Sequence, residues 1–281
     1  MILVTGATGT IGREVVRCLG PERDVRILAR DPARVVGASP CADVVAGDYA
    51  DEASLARALA GVSRAFLVTN RIGDDDERFV RAARAAGVRH VVKLSAAAVN
   101  DAGAQDLITR QQRATEGLLR ASGLAWTLLR PRSFMSNTLA WAPSVREERV
   151  VRALNGTSRN ACVDPRDVAE VAVRALTQEG HTGCAYTLTG PEPLSARDQT
   201  RELGRQLGIE LAFEELGLDA ARALLGRRYP PTVVEALLES ARRQEENAKS
   251  AVAPTVLEVT GRPARSYADW VADHLSAFRG P

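Results

Sequence analysis

The chain has 281 residues, 45% hydrophobic and 26% charged, which suits a globular protein with one substantial core or a core and an annex. Its 37 basic and 35 acidic residues give a formal net charge of +2, and no basic run or basic–aromatic stripe stands out, so nucleic acid is not an expected partner. No segment approaches the roughly 20 apolar residues of a membrane span, and Met1–Val4 is cut by glycine with no basic flank before it, so a cytoplasmic protein is expected.

Short runs rich in Val, Ile and Leu alternate with amphipathic stretches from the first residue onward. The runs are Ile2–Ala7, Val25–Arg30, Asp43–Asp48, Ala65–Thr69, His90–Ser95 and Trp126–Arg130. None alternates strictly with polar residues, as expected of parallel strands buried on both faces. Helices are expected over Thr10–Leu19, Asp51–Ala60, Asp74–Ala86 and Asp106–Ala121. Asp51 and the Asp74–Asp76 run supply capping and first-turn negative charge, and Gly61, Gly87 and Gly123 stand where a helix stops.

This βαβ series predicts an α/β fold, a Rossmann-type doubly wound parallel sheet with strand order 3-2-1-4-5-6. Beyond Pro131 come a helix over Val168–Leu176, a strand over Ala185–Thr189, and helices at Ala196–Leu207, Asp219–Leu225, Thr232–Ala248 and Tyr267–Phe278. Residues 1–131 are therefore read as the dinucleotide-binding core. Residues 132–281 are read as a smaller, mostly helical substrate or cap region, with 164–190 returning a helix and a strand to the core.

Gly6, Gly9 and Gly12 follow the first strand and open the first helix, in the loop Gly6-Ala7-Thr8-Gly9-Thr10-Ile11-Gly12. Glycine lets the backbone turn tightly and approach a pyrophosphate, whose charge then faces the helix N-terminus. The second strand ends in Arg30, where NAD-selective proteins usually carry an acid that holds the ribose 2′-hydroxyl. A guanidinium suits a 2′-phosphate, so NADP(H) is expected over NAD(H), with Arg34 adding charge. Asp31 offers a competing contact to a 2′-hydroxyl. Asp48, closing the third strand, either meets the adenine edge or caps the next helix.

The four cysteines and three histidines are scattered without CxxC or metal-like spacing, and no metal site is expected. Lys93 and Lys249 are the chain's two lysines, which leaves little to build a lysine-dependent mechanism from.

The chain resembles the NmrA-like atypical short-chain dehydrogenases, which include quinone and triphenylmethane reductase-like enzymes and NADP-sensing regulators. The matching motifs are Gly-Ala-Thr-Gly-Thr-Ile-Gly at 6–12, Ala-Arg-Asp-Pro at 29–32, Gly-Asp-Tyr at 47–49 and Lys-Leu-Ser-Ala at 93–96. Further matches are Ser-Gly-Leu-Ala-Trp-Thr-Leu-Leu-Arg-Pro at 122–131, Phe-Met-Ser-Asn at 134–137, Val-Asp-Pro-Arg-Asp-Val-Ala at 163–169 and Leu-Thr-Gly-Pro at 188–191. Thr8, Thr10, Ile11, Asp48 and Tyr49 are expected to border the cofactor with the glycines, and the resemblance implies that Thr69 and Asn70 line its ribose and that Ser95 sits near the nicotinamide. Pro131 and the Phe134–Asn137 segment, with Met135 and Asn137, would border nicotinamide and substrate.

The departures bear on chemistry. A Tyr-x-x-x-Lys pair is absent, since none of Tyr49, Tyr186, Tyr229 and Tyr267 has lysine four residues on. Relatives often carry lysine or histidine four residues before the helical glutamate that matches Glu116; here that residue is Gln112, an amide that cannot act as a general acid near neutral pH.

The first reading is an NADPH-dependent reductase of a small aromatic, quinone or enone-type substrate, with Ser95 and Gln112 as its catalytic polar groups. Phe134, Met135 and Trp141 then form an apolar wall or simply pack the core. The alternative is a non-catalytic NADP sensor that docks a partner protein through Thr232–Ala248, and an epimerase ranks third for want of an acid–base pair. A homodimer is open on this reading.

Overall fold

The computed structural model describes residues 1–69, 73–245 and 248–279. Asn70, expected at the ribose, lies outside the described residues.

Six strands and four α-helices build the first half: β1 (Ile2–Thr5), α1 (Thr10–Leu19), β2 (Val25–Ala29), β3 (Asp43–Ala46), α2 (Glu52–Leu59), β4 (Arg64–Leu67), α3 (Asp75–Ala85), β5 (His90–Leu94), α4 (Leu107–Ala121) and β6 (Ala125–Pro131). After β6 come α5 (Ala142–Glu148), β7 (Val150–Ala153), α6 (Pro165–Thr177), β8 (Cys184–Leu188), α7 (Ala196–Leu207) and β9 (Ala212–Glu215). Four helices close the chain: α8 (Leu218–Gly226), α9 (Pro231–Glu245), α10 (Thr255–Thr260) and α11 (Tyr267–Phe278).

The main sheet has seven strands in the order β3-β2-β1-β4-β5-β6-β8, every neighbouring pair parallel. The expected doubly wound order is thus present, and β8 extends it beyond β6. A second, two-stranded parallel sheet pairs β7 with β9, which the sequence pattern did not announce.

Each face of the main sheet buries one apolar layer. On one side α1 and α6 pack through Val15, Val16, Leu19, Val168, Val171 and Leu176. On the other, α2, α3 and α4 cover it with Leu55, Leu59, Phe79, Val80 and Leu119. A third cluster under the C-terminal region gathers Val145, Val151, Leu203, Tyr267, Trp270 and Phe278. Among the described residues no helix is long and apolar enough to cross a membrane.

Local chemistry explains most boundaries. Asp51 caps α2 by accepting from the Ala53 and Ser54 amides, and Asp106 caps α4 through Thr109. Gly61, Gly87 and Gly123 end α2, α3 and α4 with φ of +74°, +76° and +80°, backbone that a side chain would strain. Asp75 and Asp76 bring negative charge to the first turn of α3 as expected, and Asp74 stands at the N-cap position. It makes no cap bond and instead pairs with Arg78 at 2.8 Å, while Asp75 and Asp76 of the same run are buried.

Candidate cofactor and active site

Strand β1 delivers the glycine loop to the carboxyl edge of the sheet. Gly6 takes φ +68°, and its carbonyl accepts from the Gly9 amide at 2.9 Å. A Cβ on Gly12 would stand 2.3 Å from the Gly6 carbonyl oxygen, so Gly12 is needed for the loop to lie against α1. Gly9 is different: it is exposed, and its nearest neighbour for a Cβ is the Gly6 oxygen at 3.3 Å. Interior packing does not demand glycine there, but close approach of a ligand does.

Helix α1 begins at Gly9 with no side-chain cap and no acid in its first turn, whereas aspartates cap α2, α4 and α6. Its first-turn amides, including those of Thr10, Ile11 and Gly12, are left facing whatever docks at the loop. Bare glycine, an uncapped helix and positive dipole together fit a dinucleotide pyrophosphate. Ile11 itself points into the core at 4% exposure, so what it offers at the loop is its backbone amide and not its side chain.

A pocket of about 100 Å³ runs from this loop over the ends of β2 and β3, lined by Gly6, Thr8, Arg30, Asp48, Tyr49 and Val68 among others. Arg30 is exposed at its rim. Asp31 turns away to cap the short 3₁₀ turn Pro32–Arg34, accepting from the Ala33 amide at 3.1 Å. Asp48 accepts from the Ala50 amide at 3.0 Å, while the cap of α2 falls to Asp51. The Tyr49 hydroxyl donates to the Val68 carbonyl at 2.8 Å, and its ring meets Phe79 edge-on. Burial pushes this phenol well above its ordinary value, so Tyr49 is a neutral wall.

Strands β4, β5 and β6 carry the polar groups of the opposite end. Ser95, just past β5, donates its hydroxyl proton to Glu116 Oε1 at 2.6 Å. Arg130 grips the same carboxylate from β6 through Nε at 2.9 Å and Nη2 at 2.5 Å. Burial drives the Glu116 carboxyl upward, but the hydrogen bonds from Arg130 and Ser95 outweigh it and hold the group below its ordinary range. With its proton committed to Glu116, Ser95 presents lone pairs to a ligand. Gln112 lies one helical turn before Glu116 on α4, and its buried Oε1 has no hydrogen-bond partner among the described residues.

Two residues before Ser95, Lys93 is fully buried and reaches Thr69 Oγ1 at 3.0 Å and Asp76 Oδ1 at 3.4 Å. Asp76 also accepts from Thr69 at 2.8 Å and from Thr115 at 2.9 Å. The Thr69 hydroxyl, expected at the ribose, is therefore engaged inward.

The residues expected along a substrate wall divide. Met135, 2% exposed, belongs to the cluster under the C-terminal helices, and Trp141 packs against that cluster. A 3₁₀ helix over Met135–Trp141 sets their directions, turning Met135 inward. Phe134 packs against the α1–α6 layer. Asn137 is exposed and lines a cavity of about 850 Å³ beside the start of α1, with Thr10, Arg13, Asp164, Tyr229 and His274. Pro131, buried at the end of β6, pairs with Leu188 of β8.

Sequence reasoning passed over Lys93, Asp76, Thr115 and Arg130. One signal was available: a lysine inside the apolar run His90–Leu94 requires a buried carboxylate. Among the described residues no cluster of His, Cys, Asp or Glu is arranged to hold a metal.

A family model described as NAD(P)H-binding matches residues 6–179. The chain is 58% identical over 99% of its length, and 99% of the relative's, to a (4-alkanoyl-5-oxo-2,5-dihydrofuran-3-yl)methyl phosphate reductase of Streptomyces griseus. It is 35% identical, with 99% of each chain covered, to an NAD(P)H azoreductase of Xenophilus azovorans. Among solved structures, an NADPH-dependent quinone oxidoreductase of Escherichia coli complexed with NADPH superposes with a TM-score of 0.85. It is 27% identical, covering 98% of this chain and 100% of that one. The chain belongs to the NAD(P)H-binding family, as an NAD(P)H-dependent oxidoreductase of the atypical short-chain dehydrogenase type.

Proposed function

We propose that this chain transfers hydride from NADPH to the ring double bond of an acylated butenolide, a small conjugated enone-type substrate. The observation that carries this reading is the full-length, 58% identity to the Streptomyces griseus reductase, whose substrate name describes such a ring. In a 4-alkanoyl-5-oxo-2,5-dihydrofuran the alkene is conjugated to both the lactone and the alkanoyl carbonyl. Bound NADPH supplies a hydride to the ring carbon distal to those carbonyls. The electron pair then spreads over both carbonyl oxygens, and the adjacent carbon takes its proton from water.

An acceptor of this kind needs little acid from the protein, which accounts for the missing Tyr-x-x-x-Lys pair and for Gln112. Ser95 and Gln112 act on this reading as acceptors that orient the nicotinamide carboxamide or the substrate. Glu116 and Arg130 hold Ser95 in that role, and Pro131 with Phe134 borders the ring. A non-catalytic sensor draws no support from the relatives, since both are named reductases. Incubation with NADPH and the butenolide phosphate is expected to bleach the nicotinamide band and give the saturated ring by NMR. An intact ring and unconsumed NADPH, with the cofactor bound, would sink the reading.

We further propose that NADPH is preferred over NADH through Arg30. Asp31, the competing group, is turned to cap its own 3₁₀ turn, which leaves the guanidinium as the side chain at the pocket rim. Arg30→Ala is expected to weaken NADPH by about 10- to 100-fold and NADH by less than about threefold, measured by fluorescence titration. Equal losses for the two cofactors would count against Arg30 as the selector.

A further inference from the structure

Beyond the end of β6 the sheet face that carries Arg130 continues with Arg132, whose amide still bonds the Leu188 carbonyl at 2.9 Å. Arg132 is half-buried, and its buried Nε has no hydrogen-bond partner among the described residues. Nor does any carboxylate among those residues form an ion pair with it. Lys249, one of the two lysines of the chain, is tied to the neighbourhood of Arg132 by way of Ala161, which bonds the Lys249 carbonyl, and Asn160, which bonds Ser133; Cys162, Asp106 and Arg243 also act on its charge. Its Nζ donates to the Ser240 hydroxyl at 2.8 Å, and its carbonyl accepts from the Ala161 amide at 3.0 Å.

Among the described residues, the nearby carboxylates make other bonds. Asp101 pairs with Arg243, and both oxygens of Asp106 are taken by Thr109 at the start of α4. Burial pushes the Lys249 ammonium down to about 8, and it lowers Arg132 as well. Among the described residues neither cation is ion-paired, and two desolvated cations without a paired acid cost free energy that folding does not return. Nearby, Asn160 donates to Ser133 at 3.0 Å. Along the chain, Arg132 stands two residues beyond Arg130, which grips Glu116 one helical turn from Gln112 on α4.

We infer that Arg132 and Lys249 form the subsite for a phosphate monoester on the substrate, placed next to the hydride-accepting ring. This rests on the butenolide reading above and supplies what that reading lacks, a counter-charge for the phosphate in the relative's substrate name. A dianion accepts from a guanidinium fork and an ammonium at once, and the desolvation that penalises the two cations strengthens that contact. A neutral quinone or an unphosphorylated enone would leave both charges uncompensated, so the same corner discriminates against them.

The test titrates a butenolide phosphate ester and the matching alcohol into the enzyme saturated with NADP⁺, and reads kcat/KM for each with NADPH. The ester is expected to bind at least about 30-fold more tightly than the alcohol. That ratio is expected to fall to within about threefold of unity in Arg132→Met and in Lys249→Met, while Lys249→Arg keeps most of it. NADPH titration and thermal melts identify any variant that fails to fold; Arg132→Gln and Lys249→Gln then replace it.

Equal binding of ester and alcohol by the unmodified protein overturns the subsite, as does a ratio that survives in folded variants. The two proposals fail separately. Ester binding that depends on Arg132 and Lys249 but brings no turnover keeps the subsite and removes the butenolide reaction. Turnover of ester and alcohol alike does the opposite.

Discussion

Gly9→Val is expected to fold like the unmodified protein and to lose NADPH affinity by about 100-fold or more, near 3 kcal/mol. Gly9 has φ −96° and ψ 178°, ordinary extended backbone that valine adopts freely. A Cβ there meets only the Gly6 oxygen at 3.3 Å, so the loop gives by a few tenths of an ångström. The added branch instead stands over the exposed start of α1, where a pyrophosphate must come within hydrogen-bond reach of the first-turn amides. Gly12→Val reverses the pattern. Its Cβ would lie 2.3 Å from the Gly6 oxygen, so the loop or the helix must move, at a cost of about 3 kcal/mol or more in stability. Thermal melts paired with NADPH titrations separate the two. A Gly9→Val protein that binds NADPH within about threefold of the parent would remove the loop from the cofactor site.

What the sequence disclosed follows the reach of its signals. The glycine loop and Arg30 are read from short contiguous segments, because a strand, a turn and a helix start bring them together with no help from distant chain. Helices α1, α7 and α11 have the bounds expected from periodicity, and Ser195 and Ser266 close capping boxes at the latter two.

Strands β7 and β9 escaped because Val-Val-Arg-Ala and Ala-Phe-Glu-Glu are each four residues long and bury a single residue, Val151, between them, too little to show a pattern. Met135 and Trp141 were legible as apolar, with substrate wall and core left as alternatives, since the 3₁₀ helix that turns Met135 inward has no strong signature of its own. The ion pair of Lys93 with Asp76, the grip of Arg130 on Glu116 and the corner shared by Arg132 and Lys249 were out of reach for one reason. Each joins residues from separate parts of the chain, and only the tertiary fold makes them neighbours.

Asp76→Ala is expected to destabilise the fold by about 3–5 kcal/mol, since it strands the fully buried Lys93 ammonium with only the Thr69 hydroxyl. Lys93→Met should cost less. Asp76 then keeps its bonds from Thr69 and Thr115, and a methionine fills most of the lysine volume. Combining the two changes should recover part of the loss, because the unpaired charge is gone; a double-mutant cycle by chemical denaturation reads that coupling.

The pH dependence carries its own sign. Burial already lowers the Lys93 pKa from its ordinary 10.5, and the Asp76 charge opposes that shift. Without Asp76 the folded value drops further, so over the window up to 10.5 the folded state binds fewer protons than the unfolded one. The penalty is therefore full at low pH and relieved as pH rises. Asp76→Ala should gain stability relative to the parent on going from neutral to alkaline solution. A variant that loses less than about 1 kcal/mol with no such rise would mean that Lys93 is neutral in the native protein. The scaffold beneath Ser95 would then be held by hydrogen bonds alone, and the one lysine in the sheet would have no charge to contribute.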